Sequence, residues 1–190
     1  MHHQDWNRER DAPVNLELHE GLGCTIVAHR IARSHDEAMA EHRTPTGPSH
    51  VFQGACHCGA IGFTLRASQP PDRWQVRACQ CGFCRIHGAR TVSDPGGSVT
   101  FRIAEPSKLR RYRFATRAAD FLICGVCGVY IAAVLTSSKG QFATVNVNAI
   151  HGLHHVPEPM PVSYAAESRE QREFRREQRW TPVAGVVASN

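Results

Sequence analysis

The sequence has no apolar stretch at its start. Met1 to Asn15 is polar and charged, so the hydrophobic segment of a secretory signal is missing. It also lacks a run of membrane-spanning length. The longest apolar stretch, Phe121 to Leu135, is interrupted by Gly125 and Gly128 and falls short of the ~20 residues a spanning helix needs. No internal repeat or low-complexity tract is present. Neither sign of charge dominates: 22 Lys and Arg against 17 Asp and Glu give a net +5, too small an excess to demand a nucleic-acid partner. These absences lead to the expectation of a cytoplasmic chain with neither membrane nor nucleic acid as a partner. That compartment is reducing, so disulfides are not expected. A chain of 190 residues, 42% hydrophobic and 21% charged, has room for one domain with a core, plus tails.

What the sequence does have is clustered sulfur. Seven of its eight cysteines fall in three tight groups. Cys56 and Cys58 form a C-x-C; Cys79, Cys81 and Cys84 form a C-x-C-x-x-C; Cys124 and Cys127 form a C-x-x-C followed by Gly128. Cys24 stands alone and reads as a half-buried thiol. A thioredoxin-type redox pair requires a strand-then-helix context, which does not follow Cys127. Zinc accounts for the spacing, because a structural site takes four thiolate or imidazole ligands in a tetrahedron. The outer groups together supply four. On an extended segment alternate side chains share a face, so a C-x-C there aims both sulfurs at one spot. Cys124-Gly-Val-Cys127-Gly128 reads as a metal knuckle. A shared ion would staple an early strand to a much later one, adding folding free energy on the order of 10 kcal/mol.

The middle group supplies only three sulfurs. A fourth ligand must come from His87, His57, Cys24 or an external molecule. His87 would close a Cys3His site, although so short a loop after Cys84 strains the tetrahedron. An open position would instead give a Lewis acid able to hold a thiolate or polarise a carbonyl oxygen. Three thiolates leave such a centre negative; Arg77 and Arg85 beside it would offset that charge, with a solvated surface position the simpler reading of Arg77.

Along the chain, residues 1–50 read as an extension, with helical composition over Thr25–Arg43, a linker from Thr44 to Ser49, and Met39 as a second possible initiation point. From Val51 the composition changes to short strand-like runs broken by Gly and Pro. Strands are predicted at Gly62–Arg66, Val99–Ile103, Leu109–Phe114, Phe121–Ile123, Val129–Leu135 and Phe142–Val147, which argues a mainly β domain over 51–150. Residues 151–190 read as a second extension, with a mostly solvated helix over Ala165–Arg179 whose end Trp180 pins to the domain.

The ordered string Gly54-Ala-Cys56-His-Cys58-Gly59-Ala-Ile-Gly-Phe63, Cys79-Gln-Cys81-Gly-Phe-Cys84-Arg85, Tyr112-Arg-Phe, Cys124-Gly-Val-Cys127-Gly128 and Val145-Asn-Val-Asn148 resembles the glutathione-dependent formaldehyde-activating enzyme family, which includes centromere protein V-like proteins. The resemblance covers about residues 51–150. It implies a mainly β fold of the Mss4-like, β-tent type with two zinc ions per chain: a structural one on Cys56, Cys58, Cys124 and Cys127, and a catalytic one on Cys79, Cys81 and Cys84. It also implies a carbon–sulfur lyase or synthase activity that joins the glutathione thiol to formaldehyde as S-hydroxymethylglutathione. Members often carry Ser where this chain has Gly82, and the long N-terminal extension lies outside the usual pattern.

Two readings of function follow. In the first, the protein is a zinc-dependent enzyme acting on a thiol and a small aldehyde; neither His57 nor His87 is assigned as a general acid or base. In the second, it is a non-catalytic, zinc-stabilised binding module that presents Lys108, Arg110, Arg111, Arg113 and Arg117 to a protein or nucleic-acid partner. The sequence assigns no oligomeric state.

Overall fold

Among the described residues eleven strands follow one another: β1 (His50–Ala55), β2 (Ile61–Ala67), β3 (Arg77–Cys79), β4 (Thr91–Val92), β5 (Ser98–Ile103), β6 (Leu109–Tyr112), β7 (Asp120–Cys124), β8 (Tyr130–Ser137), β9 (Gly140–Asn146), β10 (Met160–Val162) and β11 (Thr181–Pro182). Two α-helices join them, α1 (Gly82–Ile86) and α2 (Arg169–Arg179). The structure is a computed structural model that describes residues 50–185. The expected helix at Thr25–Arg43, the linker, Cys24 and Met39 lie outside the described residues. The mainly β expectation holds, and each strand predicted from composition has an observed counterpart.

The strands form two sheets. The smaller runs β1-β2-β5, antiparallel throughout. The larger runs β10-β3-β4-β9-β8-β7-β6, with β11 paired to β9. In β2 the apolar positions Ile61, Phe63, Leu65 and Ala67 are buried and Arg66 is exposed, the alternation of a strand with one face on a core. These side chains meet Leu122, Ile131, Val134 and Val145 of the larger sheet, together with Trp74 and Val76. Each Leu or Ile buried this fully stabilises the fold by about 1.5–3 kcal/mol.

The central strand β8 is buried on both faces. Ile131, Ala132 and Val134 join the core between the sheets, while Ala133 and Leu135 pack with Trp180 on the other side. Tyr130 belongs to a third cluster, with Cys84 and Ala89. Such near-continuous burial produces the unbroken apolar run seen in the sequence.

The residues beyond 150 are built into the larger sheet. β10 lies parallel to β3 with Val162 opposite Cys79, and the Gln80 amide donates to the Val162 carbonyl at 2.9 Å. Helix α2 begins four residues later than its composition suggests, because Ser168 caps it. The Ser168 hydroxyl accepts from the Gln171 amide while the Gln171 side chain accepts from the Ser168 amide, a reciprocal capping box. Lys139 pairs with Glu177 at 2.6 Å, and Trp180 is buried at the helix end. The expected solvated helix is therefore corrected in one respect: its Arg176 side is turned inward, leaving that residue only 8% exposed.

Asp120 opens β7 and is 5% exposed. It accepts from Arg111 at 3.2 Å and from Arg113. Burial alone would raise the pKa of this carboxyl, but the two guanidinium groups, Arg113 foremost, hold it below its ordinary value. Lys108 pairs with Glu105 at 2.7 Å. Three of the five cations proposed for a basic contact surface are thus matched by acids within the fold.

Two stability predictions follow from this packing. A Cβ on Gly54 would lie 2.3 Å from the Phe63 ring and 2.7 Å from the Ala149 carbonyl oxygen, whereas one on Gly82 meets nothing within 4 Å. Gly54→Ala is expected to lower unfolding free energy by about 1–3 kcal/mol, while Gly82→Ala leaves the thermal midpoint unchanged or slightly raised. Asp120→Asn removes the buried carboxylate that Arg111 and Arg113 share and should cost on the order of 3 kcal/mol at neutral pH. Because the folded pKa of Asp120 is depressed, its contribution is complete above the ordinary carboxylate range and disappears as pH falls through the folded value. Denaturant melts of wild type and Asp120→Asn should therefore converge in acid.

Candidate functional site

The two outer cysteine pairs occupy matching turns. Cys56 and Cys58 lie in the turn joining β1 to β2, where the Cys56 amide donates to the Ile61 carbonyl at 2.8 Å and the Gly59 amide donates to the Cys56 carbonyl at 3.0 Å. Cys124 and Cys127 lie in the turn joining β7 to β8, with Cys124 amide to Val129 carbonyl at 3.0 Å and Gly128 amide to Cys124 carbonyl at 2.9 Å. Gly59 and Gly128 close these turns with φ of 77° and 74°, a left-handed geometry that side chains resist. The C-x-C is therefore a knuckle, not the extended strand segment expected from its spacing. The turn brings the Ile61 amide at the start of β2 back onto Cys56 Sγ.

Cys58 Sγ lies 3.6 Å from both Cys56 Sγ and Cys124 Sγ, and all four sulfurs lie within 4.8 Å of one another. A tetrahedron of 2.3 Å zinc–sulfur bonds has edges of about 3.8 Å, so this donor set fits zinc. Backbone amides add the hydrogen bonds that thiolates favour: Ile61 N–H to Cys56 Sγ at 3.3 Å and Val126 N–H to Cys124 Sγ at 3.4 Å. Burial opposes ionisation of Cys127, yet amide donors at Val129 and Cys58 bring its thiol down to about 6. His57 is exposed beside this cluster and contributes no ligand atom to it.

The middle group is assembled by β3 and α1. Cys79 ends β3, Cys81 caps α1 by accepting from the Cys84 amide at 3.4 Å, and Cys84 lies within α1. Their sulfurs also fall within 4.8 Å of one another; among the described residues no His, Asp, Glu or further Cys joins them. His87 caps the far end of α1 and packs on Phe83 with ring centroids 4.3 Å apart. The three-sulfur set again fits a soft tetrahedral metal, with one corner not filled by a described side chain of this kind. A hydrogen bond from Cys84 is the main influence drawing the Cys79 thiol down to about 5 against burial, with help from Cys81 and the Arg175 charge. The same bond, together with burial, pushes Cys84 up.

The trio faces a cavity of about 380 Å³ bordered by Phe114, Phe121, Tyr164, Arg172 and Arg176. A narrower recess continues past Cys79 and Cys84 to Tyr130, Arg77 and Trp180. Arg77 is turned into this recess, donating to Ser93 at 2.6 Å and Thr144 at 3.3 Å, which corrects the solvated reading of this residue. Arg85 is exposed and does not line either space, so the expectation that it sits beside the sulfurs is not met; the cations found there besides Arg77 come from α2. Of these, Arg175 pairs with Glu167 at 2.8 Å and lies over the Tyr164 ring at 3.6 Å. Burial pulls Arg176 down to about 10, with Arg175 and Arg172 adding repulsion; it stays a cation at neutral pH. Burial also raises Tyr130 well above its usual range, reinforced by the adjacent sulfurs, so its hydroxyl keeps its proton.

Tyr130, Tyr164, Arg172, Arg175 and Arg176 were not singled out by sequence reasoning. The three arginines do share one helical face by their spacing, a legible signal. The two tyrosines carry no comparable mark.

A solved structure titled as a Rhodobacter sphaeroides protein is 26% identical, aligning 58% of this chain with 99% of its own at a TM-score of 0.45. No curated protein matches the chain. The family model described as glutathione-dependent formaldehyde-activating enzyme matches residues 51–166. The cysteine clusters and recess just described fall largely within that span, and the chain belongs to the glutathione-dependent formaldehyde-activating enzyme family.

Proposed function

We propose that the protein is a zinc-dependent carbon–sulfur lyase or synthase that joins the thiol of glutathione to formaldehyde, with one zinc structural and the other at the reaction site. The observation that carries this reading is the contrast between the clusters. Four sulfurs suit one closed tetrahedron, while Cys79, Cys81 and Cys84 have no fourth Cys, His, Asp or Glu beside them among the described residues and border a cavity of about 380 Å³, a size suited to a small organic substrate.

In the forward direction the sulfur lone pair forms a bond to the carbonyl carbon. The C=O π pair moves to oxygen, and the proton lost by the thiol ends on that oxygen, giving S–CH2–OH. The reverse reaction breaks the same carbon–sulfur bond. Zinc on the three sulfurs would supply positive charge that draws a thiolate or carbonyl oxygen to the open corner. Cys79, Cys81 and Cys84 hold that position. Phe114 and Phe121 wall the cavity with apolar surface, which limits water around the reacting atoms. Arg77 and Arg175 line the recess and balance the negative charge of three thiolates. Tyr130 presents a protonated hydroxyl beside the same sulfurs. Thiol addition to an aldehyde is facile in water, so the task left to the protein is mainly alignment and charge stabilisation.

Two variants separate the metal roles. Cys124→Ser should lose the structural ion and most of the domain's stability, read as loss of the cooperative melt. Cys81→Ser should lower zinc content from two per chain toward one and reduce adduct formation to the buffer rate while keeping the melt cooperative. Metal analysis, calorimetry and an adduct assay with glutathione and formaldehyde check both. Adduct formation no faster than buffer by the zinc-loaded wild type, across several thiols and aldehydes, would overturn the enzymatic assignment.

A further inference from the structure

The cavity beside the sulfur trio contains a cation whose donors are not all used. Arg176 is 8% exposed, and its Nε and one terminal nitrogen are buried without a hydrogen-bond partner. A buried, unpaired guanidinium is costly, and native proteins rarely keep one without a counter-group. The neighbouring arginines have partners: Arg172 donates to the Tyr164 and Glu167 carbonyls, Arg175 to the Glu167 carboxylate, and Arg77 to Ser93 and Thr144. The nearby acids are likewise engaged by other cations: Glu177 by Lys139, Glu173 by Arg169 and Glu167 by Arg175. Arg176 lines both the main cavity and the recess that reaches Cys79 and Cys84, and its guanidinium lies 4.9 Å from the centre of the Trp180 ring.

From this geometry we infer that Arg176 is the anion-binding residue of the cavity, pairing with a carboxylate of the thiol substrate and so selecting carboxylated thiols over neutral ones. The inference rests on the reaction proposed above. It adds a specificity determinant that lies beyond the 51–166 span matched by the family model. A carboxylate is the fitting partner because guanidinium–carboxylate hydrogen bonds are charge-assisted, and burial strengthens them. Arg176 is held by the helix whose N-terminus Ser168 caps and whose end Trp180 anchors, so its donors are positioned before substrate arrives.

The test compares zinc-loaded wild type with Arg176→Gln and Arg176→Lys, using two probes. S-methylglutathione keeps both carboxylates but cannot react; its binding is followed by tryptophan fluorescence, since Trp180 lies against Arg176. Wild type should give a saturable change, Arg176→Gln should weaken it by about 10- to 100-fold, and Arg176→Lys should recover part of the loss. In turnover with formaldehyde, Arg176→Gln should raise the KM for glutathione by a similar factor and leave kcat/KM for 2-mercaptoethanol within about twofold, with zinc content and melting midpoint unchanged. Equal losses for both thiols, a lost zinc ion, or a fluorescence titration unaltered by Arg176→Gln would overturn the inference. If wild type binds S-methylglutathione through Arg176 but forms no adduct with any thiol, the anion site stands and the enzymatic reading fails.

Discussion

The structure depends on bringing four sulfurs together from two hairpins distant in sequence. Cys58 and Cys124 are 66 positions apart, yet their sulfurs approach to 3.6 Å. One pair ends a strand of the smaller sheet and the other ends a strand of the larger. An ion held between them would tie the two sheets at the edge of their shared core. Without it, four thiols would crowd a small volume and compete for protons, and Cys58 and Cys127 are displaced in opposite directions, to about 11 and about 6. A divalent metal removes that conflict by taking all four as thiolates.

The second cluster uses the same ligand chemistry in a different mechanical setting. Its first sulfur ends a strand and its last lies in a five-residue helix. The cluster therefore bridges sheet and helix instead of locking two turns. It sits against Tyr130, which opens strand β8, buried from Tyr130 to Leu135. This cluster is thus referred to the core on one side, while the far wall of its cavity is supplied by α2.

Much of this was legible in the sequence because cysteine spacing is a strong local signal. The split into four and three ligands follows from the residues alone, as do the glycine-closed knuckle at Cys124 and the alternating strands β2 and β5. The short strands β3, β4, β10 and β11 were not legible: two or three residues carry no periodicity, and pairing across the sheet defines them. The inward turn of Arg77 and Arg176 was hidden for a related reason. Arginine reads as solvated from sequence alone; the packing of α2 on β8 and β9 turns Arg176 inward, and hydrogen bonds to Ser93 and Thr144 hold Arg77.

The parallel pairing of β10 with β3 has a consequence for how the protein is assembled. Val162 lies opposite Cys79, so the backbone that fixes the first sulfur of the trio is laced to the segment leading into α2. Ordering of that segment and metal affinity at the trio must then share a coupling free energy, each favouring the other to the same degree. A metal buffer would register the docking of a helix, and the docked helix would slow escape of the ion.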